Sequence, residues 1–537
     1  MSLCDRFLLI NNIKLPVDAS VMEAFSVAKQ MLKRAGLLSL ATDYSVYRRS
    51  IDARKKPDIY FVYSIAVSGD FSSITEERIK KYGISLCESS SPEIRQGEEK
   101  LENPPVVVGS GPCGLFCALL LAECGYKPIV LERGGSVSER HSAVELFNTK
   151  QVLDTKTNIQ FGAGGAGTFS DGKLVTRIND PLTNYVLDRF VEFGAPEEIR
   201  YIAKPHVGTD VLSVVVDRII DRIVSLGGEI HYHTKFISAL HNNGKVYAVE
   251  TNRGVIPAGA VVLAVGHSAR DTYDRLISDN FDIQPKTISV GMRIEHLAES
   301  IDKALYGEMA GHPALKHAEY ALSHDTKNRG VYTFCMCPGG LVVAAASEEG
   351  GVCVNGMSYN ARDGLNSNSA VVSTVFPEDY GCTPRTAIEF QRRIERLAFK
   401  AGGGSYAAPI ITVGDFLSGE CKSSPKTVLP SYMSGNNVKL ARPEEYLPGF
   451  VCESIKGALV SFDKKISGFA ASDAILTGAE TRTSAPIRIM RDAKTRLATG
   501  YQNIYPAGEG AGYAGGITSA AIDGLKSALA LIGVYKV

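Results

Sequence analysis

Apolar residues recur along the chain in short blocks separated by polar or glycine-containing turns. Phe7-Leu8-Leu9-Ile10 reads as a strand. A helix is expected from Ser20. Its Ser-x-x-Glu spacing to Glu23 is a capping box, in which each side chain satisfies the other residue's free backbone N–H, and Gly36 is the expected stop. Tyr44 to Ile51 and Tyr60 to Val67 read as two further strands flanking the basic turn Arg54-Lys55-Lys56. The polar stretch from Cys87 to Asn103, rich in Ser, Glu and Pro, reads as a linker.

Pro104-Pro105 opens a new pattern. Val106-Val107-Val108 is a buried strand, Gly109 to Gly114 a turn, Leu115 to Cys124 a helix and Lys127 to Glu132 the next strand, which together make a βαβ unit. Ala260 to Gly266 is another buried strand. From about Thr287, alternating strands are broken by glycine pairs such as Gly339-Gly340 and Gly350-Gly351, a texture expected of a mostly antiparallel sheet. Near Arg482 the chain returns to strand, glycine-rich turn and helix. The expected fold class is α/β. A small N-terminal α/β domain with its linker covers 1–100. A discontinuous Rossmann-like domain covers 101–286 and 481–537, and a β-rich substrate domain is inserted at 287–480.

The length of 537 residues agrees with several domains, since one hydrophobic core does not grow to that size. Apolar residues make up 45% and charged residues 22%, and the formal net charge is zero, which removes the simplest case for nucleic acid. The apolar runs fall far short of the roughly 20 residues that cross a bilayer. The start, Met1 to Arg6, lacks a leader pattern. With eleven cysteines and no Cys-x-x-Cys pair, reduced thiols in a cytoplasm are expected, and no metal site.

Gly-x-Gly-x-x-Gly occurs three times, at Gly109/Gly111/Gly114, Gly162/Gly164/Gly167 and Gly510/Gly512/Gly515. Context decides between them. Only the first follows an apolar strand, opens a helix and has an acid, Glu132, at the end of the next strand. Gly109 permits the tight turn, Gly111 lets the backbone approach a pyrophosphate, and Gly114 lets helix and strand pack closely. The helix N-terminus offers free N–H groups and a partial positive charge to phosphates. Glu132 is suited to accept both ribose hydroxyls and repels a 2′-phosphate, which disfavours NADP despite Arg133. The second match runs into Thr168-Phe169-Ser170-Asp171-Gly172-Lys173 and reads as a loop of backbone donors. The third precedes a helix, Ile517 to Ile532, with no room for a further strand.

Four segments resemble the FAD-binding elements of the broad glutathione reductase and fumarate reductase superfamily. These are Gly109 to Gly114 with Glu132-Arg133, Gly162 to Lys173, Val261 to Gly266, and Ile504 to Gly524 with Glu509 at the acidic position. A closer resemblance is to the bacterial FAD-dependent, NAD(FAD)-utilising dehydrogenases. It is carried by Ser50 to Lys56, Gly291-Met292-Arg293-Ile294-Glu295-His296, Thr333 to Gly340 with Cys335 and Cys337, and Asn355 to Tyr359. The resemblance spans nearly the whole chain and implies an FAD-binding fold with a β-rich insert. Expected cofactor contacts are Gly109, Gly111, Pro112, Gly114, Glu132, Arg133, Gly165, Thr168, Ser170, Asp171, Gly172, Lys173, Phe236, Gly266, Gly508, Glu509, Gly515, Gly516 and Ile517. Gly515-Gly516-Ile517 opens a helix whose N–H groups suit the flavin edge that becomes negative on reduction.

The expected function is a flavin-dependent oxidoreductase with non-covalent FAD, acting on a small molecule and reduced transiently by NAD(P)H. Two other readings stay open: a flavin-binding redox sensor or scaffold, and a flavin-dependent RNA-modifying enzyme. Catalytic candidates are Cys335, Cys337, Arg293 and Lys173. The cysteines read either as thiols that relay electrons or as one face of a strand. Arg293 reads either as a carboxylate clamp or as half of an ion pair with Glu295 or another acid. Lys173 reads either as a flavin neighbour that raises its potential or as a solvated loop lysine. His267, His296, Arg482 and Arg488 are weaker candidates.

Overall fold

A computed structural model describes residues 6–88, 92–176, 178–326, 329–435 and 437–537. Met1 to Asp5, read for a leader, and residues 89–91 of the expected linker lie outside the described residues. The N-terminal part is a four-stranded antiparallel sheet in the order Ala41–Asp52, Tyr60–Gly69, Arg6–Pro16, Ile84–Glu88. Helix Val21–Ala35 lies on it. The Ser20 N–H donates to Glu23 Oε1 at 2.9 Å, and Gly36 closes the helix in the left-handed region. Its buried stripe is Ala24, Ala28, Leu32 and Ala35, spaced for one helical face and mostly small, so the helix sits close to the sheet. The edge strand Ala41–Asp52 is covered: Arg49 N–H donates to the Tyr201 carbonyl at 2.6 Å and Ala203 N–H to the Arg49 carbonyl at 2.9 Å. The expected linker is partly pinned, because Glu99–Lys100 pairs in parallel with Tyr535–Lys536 near the C-terminus.

A five-stranded parallel sheet follows, in the order Ile504–Pro506, Ala260–Leu263, Pro105–Val108, Ile129–Leu131, Glu229–His231. Strands Ile504–Pro506, Ala260–Leu263 and Pro105–Val108 are buried throughout, which is why they read as continuous apolar runs. Successive side chains alternate between faces. Val107, Val262 and Tyr505 pack with helices Pro112–Glu123, Thr209–Ser225 and Ile517–Ile532, while Val106, Val108, Val261 and Ile504 pack with the antiparallel strands Phe236–Asn242 and Lys245–Thr251. Gly114 answers a steric demand, since a Cβ there would lie 1.8 Å from the Gly109 carbonyl oxygen.

The larger sheet has seven strands in the order Ser323–Thr326, Arg329–Cys337, Asn366–Val375, Ile288–Leu297, Ile475–Glu480, Ala408–Thr412, Val438–Leu440, antiparallel except for the last pair. Strands Ile283–Pro285 and Ile487–Ile489 pair with each other, so the chain enters and leaves this sheet side by side. Strand Arg329–Cys337 slips against Asn366–Val375 between Phe334 and Cys337: Phe334 faces Ala370 and Cys337 faces Asn368, leaving one extra residue as a bulge. Cys335, in that bulge, has φ 43°. The bulge overturns the expectation that Thr333, Cys335 and Cys337 share one strand face, because Cys335 is exposed and Cys337 fully buried. No helix among the described residues is long and apolar enough to cross a membrane.

Candidate functional site

A cleft of about 410 Å³ lies between the parallel sheet and the seven-stranded sheet. One end is made by the Gly109–Pro112 turn with Glu132 and Arg133, the floor by Gly165 to Lys173, and the other end by Glu509 and Gly515–Ile517. The seven-stranded sheet closes it with Thr333–Cys337, Asn355 and Glu480. Of the expected cofactor contacts, Gly109, Gly111, Pro112, Glu132, Arg133, Gly165, Ser170, Asp171, Lys173, Phe236, Gly266, Glu509, Gly515, Gly516 and Ile517 line this one cleft. Gly114, Thr168, Gly172 and Gly508 do not line it. A Cβ would meet backbone at Gly114 and Gly172 and the Cys113 side chain at Gly508, and the Thr168 carbonyl accepts from Thr209 Oγ1 at 2.6 Å.

Glu132 is 5% exposed and accepts four hydrogen bonds: at Oε2 from the Ser110 N–H at 3.1 Å and hydroxyl at 2.6 Å, and at Oε1 from the N–H groups of Gly134 at 2.9 Å and Gly162 at 3.0 Å. That uses the capacity of a carboxylate, roughly four lone-pair sites. Glu132 therefore ties three glycine-bearing segments together. Arg133 donates to Asp271 at 3.0 Å and Thr272 at 2.9 Å and lies over the Phe161 ring.

The floor loop is held from beneath by Arg140, which is fully buried with no ion-pair partner among the described residues. Its guanidinium donates to the carbonyls of Asn158 at 3.1 and 3.0 Å, Ile159 at 2.8 Å, Ala163 at 2.5 Å and Gly165 at 3.0 Å. The expectation passed over Arg140; its only sequence signal is its place behind the Ser136/Glu139 capping box. At the far end, an added Cβ on Gly515 would meet no protein atom within 4 Å, so protein packing does not demand glycine there. The approach to the N-terminus of helix Ile517–Ile532 is open there. Glu509 faces the cleft beside it, and burial pushes its carboxyl up to about 7 against the opposing pull of Lys286.

Three catalytic expectations change. Arg293 is not available to a substrate. It is fully buried, and all five of its N–H donors are engaged: with Glu480 at 2.9 and 3.1 Å, Asn368 at 2.7 Å, the Cys335 carbonyl at 3.1 Å and Asn355 at 3.3 Å. Its ion pair is with Glu480, on the neighbouring strand, rather than Glu295, whose carboxylate accepts from Ser431 and Asn366. Lys173 is not a solvated lysine: its Nζ donates to Asp171 Oδ2 at 3.0 Å and to the Met336 carbonyl, tying the floor loop to the bulge. Cys335 and Cys337 face different environments. Desolvation holds the Cys335 thiol at about 11 and the Cys337 thiol at about 12, far from thiolate at neutral pH. Cys337 Sγ donates to the Cys335 carbonyl at 3.3 Å.

The weaker candidates separate as well. His267 lines the cleft, with its Nδ1 2.8 Å from Ser268 Oγ. His296 is buried on the Phe469 carbonyl at 2.7 Å. Arg482 lines the cleft but is bound by Glu395 at 3.0 and 2.8 Å. Arg488 is exposed beside the Tyr513 ring. Sequence reasoning missed Lys204 and Glu319, which line the same cleft, and Arg362, which pairs with Asp171 and Glu319. They come from separate segments, and only the fold brings them together.

A parallel sheet opening onto a cleft at a glycine turn and a helix start, with a second sheet as its roof, defines a dinucleotide-binding class of protein. Residues 287–483 match the family described as FAD-dependent protein, C-terminal domain-like, and residues 8–68 match a domain of unknown function, DUF8436. An uncharacterized protein of Clostridium beijerinckii is 47% identical over 525 residues, covering 97% of each chain. The chain belongs to the family of that protein. Among solved structures it is similar to glycine oxidase from Bacillus cereus, with 12% identity and a TM-score of 0.36 over 81% of this chain and 98% of that one. It is also similar to L-amino acid deaminase from Proteus vulgaris, with 14% identity and a TM-score of 0.32 over 83% of this chain and 97% of that one.

Proposed function

We propose that the chain binds FAD non-covalently in the cleft and is an oxidoreductase of a small molecule. The observation that carries this reading is the single cleft joining the Gly109–Pro112 turn and Glu132 to Glu509 and the open helix start at Gly515–Ile517. The donor set fits the group. Free N–H groups at Pro112–Glu123 suit a pyrophosphate, Glu132 suits a ribose once Ser110 yields its place, and the N-terminus of Ile517–Ile532 suits an electron-rich ring edge. FAD, when bound, supplies the electron-transfer chemistry. The chain's own residues orient it and exclude water: Arg140 sets the loop, Lys173 locks the loop to the bulge, and Arg293 fixes the bulge through the Cys335 carbonyl. The sequence resemblance to NAD(FAD)-utilising dehydrogenases makes NAD(P)H the transient reductant to test first.

The protein purified without added ligand is expected to be yellow and to release FAD on denaturation. Anaerobic mixing with NADH or NADPH is then expected to bleach the flavin band. Mass spectrometry that finds only NAD, or no nucleotide binding after reconstitution, overturns the cofactor reading. A flavin that neither nicotinamide reduces overturns the donor alone.

A further inference from the structure

One wall of the cleft is backed by a cluster of five charged side chains, three cationic and two anionic, of which all but Arg362 line the cleft. Arg362 donates to Asp171 Oδ1 at 3.1 Å and Oδ2 at 2.5 Å, and its remaining nitrogen donates to Glu319 Oε1 at 2.7 Å. Lys173 Nζ adds a bond to Asp171 Oδ2 at 3.0 Å. The two carboxylates are thus matched by Arg362 and Lys173. The third cation, Lys204, stands 3.7 Å from Glu319 Oε2, outside hydrogen-bond distance. Its side chain is 56% exposed, against 4% for Asp171 and 5% for Arg362. Lys316 of the adjoining loop is satisfied by Glu198 at 2.5 Å. Asp171, Lys173, Lys204 and Glu319 all line the cleft, and Lys173 joins them to the Cys335 bulge through the Met336 carbonyl.

We propose that Lys204 receives the carboxylate of a small monoanionic substrate, which completes the charge balance of this wall. The inference rests on the flavin reading above. The wall carries one more positive than negative charge, and the excess lies on Lys204, the exposed member of the cluster, which lines the cleft. One carboxylate cancels that excess. A phosphate dianion would reverse it, and a neutral or cationic substrate would leave or enlarge it. Lys204 is also held for the task. Ala203, next to it, is bonded to Arg49 on the edge strand of the N-terminal sheet, so that sheet sets the position of the segment that presents the ammonium.

The test uses the full-length, FAD-loaded protein with the variants Lys204→Met and Lys204→Arg. Each is titrated at constant ionic strength with acetate, pyruvate and benzoate, with acetamide and benzamide as neutral partners, and with phenyl phosphate. The readout is the flavin difference spectrum. At least one carboxylate is expected to give a saturable shift that its amide does not. Lys204→Met is expected to weaken that binding about tenfold or more, the size of one lost charge-assisted hydrogen bond, and Lys204→Arg to restore most of it. No saturable shift with any carboxylate, equal affinity for acid and amide, tighter binding of phenyl phosphate than of benzoate, or an unchanged affinity in Lys204→Met overturns the proposal. Failure of the flavin reading is distinguishable, because it appears beforehand as a protein without bound FAD.

Discussion

Glu509 shows how much of a residue's chemistry its surroundings set. Its carboxyl titrates near 7 rather than at the ordinary carboxylate value of 4.5, because burial beside the cleft penalises the charged form. Between those two values the unfolded chain has lost the proton while the folded protein keeps it. The folded state binds more protons there, so stability falls as pH rises through the window. Glu509→Gln removes the effect. In the FAD-free protein it is expected to match wild type at pH 4.5 and to be more stable by about 1–3 kcal/mol above pH 7, given roughly 1.4 kcal/mol per shifted unit. Thermal melting across pH checks this, and a constant difference at every pH would refute it. The cysteines make the same point in the other direction. Their spacing invites a redox pair, but the bulge turns Cys335 into the cleft and leaves Cys337 in the core, with both thiols held protonated.

Among the elements, the loop from Asn158 to Gly165 depends most on a single distant side chain. A glycine-rich segment has little preference for one conformation. Arg140 supplies that preference by gathering four carbonyls around one buried guanidinium, with Phe169 4.7 Å away to cover it. Removing the guanidinium leaves those carbonyls unsatisfied, at about 1–3 kcal/mol each where they remain dry. Arg140→Met is therefore expected to lose about 3 kcal/mol or more of stability by urea denaturation. FAD affinity should fall with it, because the loop forms the cleft floor. A variant that melts like wild type and keeps its FAD would show that the loop holds its shape unaided.

For the whole molecule, the question is what joins the two large sheets. The answer lies at a buried carboxylate, Glu395 on helix Pro384–Ala401. It accepts from Arg270, on the parallel-sheet side, at 2.6 and 2.8 Å and from Arg482, at the return crossing, at 3.0 and 2.8 Å. Both guanidiniums are 6% exposed or less. Glu395→Gln leaves Arg482 without its carboxylate and Arg270 with Glu348 alone, a change worth roughly 3–5 kcal/mol when one partner of a buried pair is removed. A loss of that size, little altered by added salt, is expected in thermal or urea unfolding. A loss below about 1 kcal/mol, or one that salt abolishes, would place the join elsewhere. The N-terminal sheet is attached differently, through backbone pairing of Arg49 with Tyr201 and Ala203, which no side-chain pattern announces.

The sequence by itself determined the local elements and the glycine-turn end of the cleft. The three-valine strand, the Gly109–Gly114 turn, the capped helix at Ser20 and the acid at Glu132 each follow from short-range geometry, which a few adjacent residues specify. It also marked Glu509 and Gly515–Ile517, because a glycine turn before a helix is a local signal. Only the tertiary structure decided what the charged residues do. Arg293 meets Glu480, Lys173 meets Met336, and Asp171 meets Arg362, across separations of 187, 163 and 191 residues. Electrostatic partnership depends on distance in space and on burial, and neither can be read from spacing along the chain.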